Sequence, residues 1–138
     1  MNGSGVGAWG LMMVLAVAQP APRNSQVQVG RRFCRALLHR DDRAAYRLLA
    51  PATRQQLPYA TFRRQAAGLR GQARGAEVEL YKLGFVLEDS GPARPFVAFT
   101  YTADSTRQPK PEWLEVTFQD TAARQVLRFE RRAAVTKK

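Results

Sequence analysis

The side chains best suited to acid–base chemistry in this sequence are four tyrosines and one aspartate. A tyrosine hydroxyl can stabilise an oxyanion, and a carboxylate can accept a proton. The hydroxyl donors are Tyr46, Tyr59, Tyr81 and Tyr101, and Asp104 follows Tyr101 at the end of a predicted strand. A loop aspartate without a catalytic role is the alternative interpretation of Asp104. Tyr101, Asp104, Tyr46 and Tyr59 are therefore weak catalytic candidates.

The other carboxylates have structural explanations. Asp41 and Asp42 stand where a helix cap is expected, and Asp89 and Asp120 fall in predicted turns. The remaining acidic residues of the predicted strands alternate outward from apolar neighbours: Glu77, Glu79, Glu115 and Glu130. The sequence is therefore poor in candidate general bases.

Other reaction classes have less support. The single His39 cannot supply a multi-histidine metal site, and the single Cys34, on the apolar side of a predicted helix, is best explained as a small core residue. Ser25, Ser90 and Ser105 lack the strand-to-helix glycine context of a hydrolase nucleophile. The expected mature chain contains no phosphate-binding glycine motif. We expect neither a metal nor a cofactor.

The elements that position these side chains change character near residue 75. Residues 26–70 repeat apolar side chains at helical spacing, whereas residues 76–131 alternate at strand spacing. Charge changes at the same place: residues 19–75 hold 12 Lys and Arg against 2 Asp and Glu, and residues 76–138 hold 10 against 9. Helices come first and a sheet second.

Three helices are predicted. The first carries an apolar stripe and a basic face, the second ends at Pro51, and the third starts at Pro58. The stripe of the first helix is Val27, Val29, Phe33, Cys34, Leu37 and Leu38. Four strands with hairpin-length connections follow, which predicts an antiparallel sheet. A change in alternation near Tyr81–Lys82 predicts a bulge or a strong bend in the first strand.

The first 18 residues are typical of a secretory signal peptide. Residues 6–18 are almost wholly apolar but too few to span a bilayer, and Ala16 and Ala18 are small residues suited to cleavage before Gln19. The alternatives are a short uncleaved anchor or a buried helix. We expect export to the periplasm or the extracellular space, with a signal peptide at 1–18, a linker at 19–25, one domain at 26–131 and a basic tail at 132–138.

The order of elements resembles the nuclear transport factor 2-like superfamily. The most telling local match runs from Phe33 through Leu37-Leu38, Asp41-Asp42, Ala45-Tyr46 and Leu48-Leu49 to Pro51. The resemblance implies an α+β fold in which three N-terminal helices pack on a curved four-stranded antiparallel sheet, forming a cone. It also implies either a non-catalytic module or an isomerase, dehydratase or cyclase acting on a small hydrophobic molecule in the cone.

Two surfaces are candidate contact sites. The helical layer presents a basic surface suited to anionic lipid or polysaccharide, and solvated helix faces are the alternative: Arg31, Arg32, Arg35, Arg43, Arg47, Arg63 and Arg64. Nucleic acid is disfavoured, because aromatic residues are not interleaved with the basic ones. The second surface is the outer sheet face, where Phe96, Trp113 and Thr117 suit a homodimer interface unless a strongly curved sheet buries both its faces.

The favoured function from sequence is a non-catalytic extracytoplasmic binding or scaffold module that self-associates through the sheet face. A small-molecule isomerase, dehydratase or cyclase in the cone is the first alternative. Polyanion or membrane-surface binding through the arginine-rich layer is the second.

Overall fold

In the computed structural model, residues 22–135 are described, with side chains from Gln26 onward. Within these residues, four α-helices precede four β-strands, so the fold is α+β as expected. The helices are α1 (Pro22–Leu38), α2 (Asp42–Arg47), α3 (Pro51–Gln56) and α4 (Tyr59–Gly71). The strands are β1 (Val78–Val86), β2 (Arg94–Tyr101), β3 (Glu112–Phe118) and β4 (Val126–Ala133), with a short 3₁₀ helix at Thr102–Asp104.

From Pro22 to Gly71, the structure has four helices where the sequence predicts three. Pro51 ends the preceding segment, as expected, but also occupies the first position of α3, where its missing N–H is not needed. α1 begins at Pro22, inside the stretch expected to be a linker, and Pro22 suits a first helical turn for the same reason. The Asp41 carboxylate accepts a hydrogen bond from the Ala44 N–H at 3.2 Å, which makes Asp41 the cap of α2.

The sheet is antiparallel, has the strand order β1-β2-β3-β4 and is not closed. The predicted bulge is confirmed, because the pairing of β1 with β2 shifts between Leu80 and Lys82. The shift keeps Leu80, opposite Phe99, and Leu83, opposite Val97, on the same face of the sheet. We call this face, which the helices cover, the inner face, and the opposite one the outer face.

The core lies between the helices and the inner sheet face. The Phe33 ring contacts those of Phe62 and Phe129, with centroids 6.4 and 5.1 Å away. α1 also approaches the sheet closely at Gly30, where a Cβ would lie 2.9 Å from the buried Phe99 ring. The predicted stripe of α1 is confirmed: its buried members are Val29, Phe33, Cys34, Leu37 and Leu38.

The predicted signal peptide and part of the predicted basic tail lie outside the described residues. The signal-peptide segment, residues 1–18, lies outside the described residues, as do the last three residues of the predicted tail, 136–138. The first two tail residues, Arg132 and Ala133, belong to β4. Within residues 22–135, the structure has no helix that combines the length and apolar character needed to cross a membrane.

Candidate functional site

Around Phe33 and Cys34, the space between the helical layer and the sheet is filled by side chains. Phe33, Leu37, Phe62 and Phe99 are all buried there. The remaining void beside Cys34 is too narrow to hold a water molecule. A cone enzyme needs a pocket that admits its substrate, and the part of this interior lined by Phe33 and Cys34 has no such room.

The two strongest catalytic candidates lie at one end of the sheet but do not form a catalytic pair. Asp104 is fully buried, and its Oδ1 accepts a hydrogen bond from Arg74 Nε at 2.8 Å. Lys110 Nζ donates to the backbone oxygens of Asp104 and Ser105, at 3.0 and 2.7 Å. The buried Tyr101 hydroxyl has no hydrogen-bond partner among the described residues, so the Asp104 carboxylate is not within its reach. These contacts hold the loop between β2 and β3 in place.

The other two tyrosine candidates lie within the helical layer. The Tyr46 hydroxyl donates to the backbone oxygens of Leu57, at 2.8 Å, and Arg54, at 3.2 Å. The Tyr59 ring packs edge-on against Tyr46 and lies beneath the guanidinium groups of Arg43 and Arg63. Both tyrosines therefore join helices to each other, and neither lies beside Tyr101 or Asp104 in these contacts.

Because of the buried Tyr101 hydroxyl, the free energy of unfolding should change with pH in the alkaline range. Burial, followed by the negative charge of Glu112, raises the pKa of Tyr101 to about 12 from 10.0. The folded state therefore holds the phenolic proton more tightly than the unfolded state. The stabilisation is complete below pH 10 and is lost as the pH rises towards 12, by about 2–3 kcal/mol.

We expect Tyr101→Phe to flatten this alkaline loss of stability in urea unfolding measured on both sides of pH 10. At neutral pH the variant should match the parent within about 1 kcal/mol, because the hydroxyl removed has no hydrogen-bond partner among residues 22–135. Tyr81→Phe, at a partly exposed ring on the outer face, is the control and should keep the parent slope. An unchanged slope in Tyr101→Phe would disprove the assignment.

Cys34 and His39 occupy structural positions. Cys34 is fully buried, and desolvation raises the pKa of its thiol far above the usual range, which disfavours the reactive thiolate. His39 is exposed just after α1, with Nε2 3.3 Å from Glu77 Oε2. Within residues 22–135, no group of three or more His, Cys, Asp or Glu side chains is arranged to hold a metal ion.

The exposed side of α1 forms a basic groove. Arg31, Arg32, Arg35 and His39 line this depression of about 510 Å³, and among the described residues its lining has one acidic side chain, Asp41. Arg35 lies 3.8 Å from Glu77, whereas Arg32 has no ion-pair partner among the described residues. The other predicted basic residues lie apart from this groove; Arg63 is 3.9 Å from Asp42, and Arg43, Arg47 and Arg64 are exposed.

The predicted interface residues share the outer sheet face but are largely covered by their own neighbours. Phe96 lies directly opposite Thr117, which is buried. The Trp113 ring packs against Tyr81, lies under the Lys82 ammonium group, and donates from Nε1 to Glu115 at 3.1 Å. The Phe96 ring lies over Gly84, where a Cβ would approach it to 2.8 Å.

The most exposed apolar surface of the sheet is one that the sequence patterns did not identify. Leu80, Leu83, Phe85 and Leu87 are 42, 38, 55 and 83% exposed, although all but Leu87 lie in β1. We call Leu83, Phe85 and Leu87 the β1 strip. A groove of about 480 Å³ lies beside it, lined on the other side by Gln26, Pro95 and Val97. The absence of charge in residues 83–87 is the sequence signal that could have revealed it.

A second feature missed from sequence is the pairing of Asp42 with Arg70. Arg70 Nη1 donates to Asp42 Oδ1 at 2.7 Å and to the backbone oxygen of Leu37 at 2.8 Å. Both side chains are largely buried, at 16 and 12% exposure. The pair joins α1, α2 and α4.

Comparisons of this chain with protein-family models, curated proteins and solved structures find no match. The resemblance to the nuclear transport factor 2-like superfamily stays a prediction.

Proposed function

We propose that this protein is a non-catalytic binding or scaffold module that acts outside the cytoplasm and self-associates through its sheet. The observation that carries the proposal is the contrast between its interior and its surface. The interior is filled around Phe33 and Phe99, while apolar side chains of β1 face solvent. A protein whose apolar side chains are exposed in a row is suited to contact another surface rather than to enclose a substrate.

The missing catalytic pair supports the same proposal. An isomerase or dehydratase needs a carboxylate and a hydroxyl donor that converge on one substrate. Here the Asp104 carboxylate is held by Arg74, and the Tyr101 hydroxyl has no partner among the described residues. Membership of the nuclear transport factor 2-like superfamily, in which non-catalytic members are common, remains compatible with this proposal.

Sedimentation velocity of the full chain over rising concentration tests self-association. We expect the weight-average mass to rise from that of one 15.4 kDa chain towards that of two. A constant monomer mass up to concentrations on the order of 100 µM would argue against self-association as a function. The export part of the proposal has its own test, because a processed protein should begin at Gln19.

Binding of an anionic polymer or lipid surface is a second candidate, supported by the basic groove along α1. Three arginines and His39 line it, and Arg32 has no ion-pair partner within the described chain. Unpaired arginines in a depression attract anions through both charge and hydrogen bonding.

Retention on a heparin column tests this second candidate. We expect Arg32→Glu to lower the salt concentration at elution more than Arg124→Glu does. The control changes net charge equally, but Arg124 lies in the turn before β4, where it donates to the nearby backbone oxygens of Ala122 and Ala123. Equal shifts would indicate a non-specific charge effect and would remove the groove as a site.

A further inference from the structure

The two edges of the open sheet are protected to different degrees. β4 pairs at its start with residues 48–50, since Val126 N–H donates to Leu48 O and Ala50 N–H donates to Val126 O. The rest of β4 carries four charged side chains: Arg128, Glu130, Arg131 and Arg132. Charged residues on an edge strand discourage pairing with another chain.

β1 lacks both protections. Among residues 22–135, no backbone segment pairs with β1 on the side away from β2. From Leu80 to Leu87 the only charged residue is Lys82, and the β1 strip is exposed beside this edge. Unpaired backbone groups next to exposed apolar side chains form a template for a further strand.

The sequence of this edge is self-complementary. In an antiparallel pairing centred on Gly84, Leu83 of one copy lies opposite Phe85 of the other, and both side chains lie on the inner face. The two β1 strips then form one apolar surface. In the same register Lys82 lies opposite the apolar Val86 of the other copy. The two Lys82 Cα atoms are then separated by about 13 Å along the strands, beyond the screening length of about 10 Å in salt.

Gly84 suits the centre of such an arrangement. Its outer side is covered by the Phe96 ring, so it leaves no side chain of its own at the two-fold axis. A glycine within a strand commonly marks a place where another backbone approaches closely. An isologous contact of this kind closes as a dimer and leaves no further open β1 edge.

We propose that two copies of this chain join through antiparallel pairing of β1 with β1 around Gly84, forming one continuous eight-stranded sheet. This inference rests on the proposed self-association and names its surface, which is the β1 edge rather than the outer face around Trp113. The occupant is a second copy, because the strand pairs with itself without opposing like charges.

Matched lysine substitutions test the surface. Leu83 and Leu80 have similar exposure, the same strand and the same face, but Leu80 lies beyond the bulge and outside the paired residues 82–86. In sedimentation equilibrium of the full chain, we expect Leu83→Lys to raise the dimer dissociation constant at least tenfold, on the order of 1.4 kcal/mol. We expect Leu80→Lys to change it less than about threefold.

Cysteine cross-linking tests the register. A mixture of Leu83→Cys and Phe85→Cys chains should form a disulfide between copies under mild oxidation, whereas neither variant alone should do so. The two positions face each other only in the Gly84-centred pairing, and a disulfide needs Cα atoms about 4.4–6.8 Å apart. Cys34 is buried and does not interfere.

These experiments distinguish failure of the β1–β1 contact from failure of self-association itself. A dimer that survives Leu83→Lys would overturn the β1 contact while leaving self-association intact. A parent chain that stays monomeric would overturn both. Slow thiol labelling of Phe85→Cys in a monomeric chain would show that the strip is covered within one chain, and would overturn the proposal.

Discussion

Phe33→Ala should lower the free energy of unfolding by about 3–5 kcal/mol, the largest loss that we expect from a single truncation in this chain. The Phe33 side chain is fully buried between α4 and β4, where its ring contacts Phe62 and Phe129. Removing the ring leaves a cavity that these neighbours cannot close without moving both layers. Urea unfolding followed by circular dichroism measures the loss.

Phe85→Ala is the matched control, because the same side chain is removed from an exposed position. With 55% of Phe85 exposed in a single chain, the loss should be below about 1 kcal/mol at protein concentrations where the chain is monomeric. Similar losses for the two variants would mean that the layers do not pack as described. A small loss for Phe33→Ala alone would indicate that the interior between α1 and the sheet contains room to relax.

Asp42→Ala should cost about 2–4 kcal/mol, the second largest effect. The Asp42 carboxylate accepts a hydrogen bond from Arg70 Nη1 at 2.7 Å, and both side chains are largely buried. The substitution leaves the Arg70 guanidinium with the Leu37 carbonyl as its remaining close partner. Because the pair is shielded from solvent, the loss should change little with added salt. Chemical unfolding at low and high salt measures both properties.

The neighbouring Asp41 supplies the control. It is exposed and acts only as a helix cap, so Asp41→Ala should cost about 1 kcal/mol. Equal effects at the two positions would contradict the different roles that the structure gives them. Asp42→Asn separates charge from hydrogen bonding, and it should recover only part of the loss, because an amide oxygen can accept one bond from Arg70 but carries no charge.

Local periodicity was enough to predict most of the fold. The stripe from Val29 to Leu38 is set by helical spacing, and each of its buried members contacts the core. The bulge in β1 was predicted because the alternation changes between Leu80 and Leu83 while both residues need the same face. In the helix, burial of the apolar side chains leaves only one arrangement of the backbone. In β1, Leu80 and Leu83 share the inner face, although they are 42 and 38% exposed.

Features set by distant contacts could not be predicted. From the sequence, Asp41 and Asp42 are equally suited to cap the helix. They differ in the structure because Arg70, which lies 28 residues after Asp42 in the sequence, binds the Asp42 carboxylate. The helix α3 was missed because Pro51 both ends one helix and begins another. The exposure of Leu83 and Phe85 depends on β1 being an edge strand, which no local pattern encodes.

The central claim is that this protein acts through the surface of its sheet, at the β1 edge. Amide hydrogen exchange of the full chain at low and high protein concentration tests it most directly. We expect residues 82–86 to become more protected as concentration rises, while exchange on α4 stays the same. Exchange of residues 82–86 that does not depend on concentration, or added protection confined to β3 around Trp113, would contradict it.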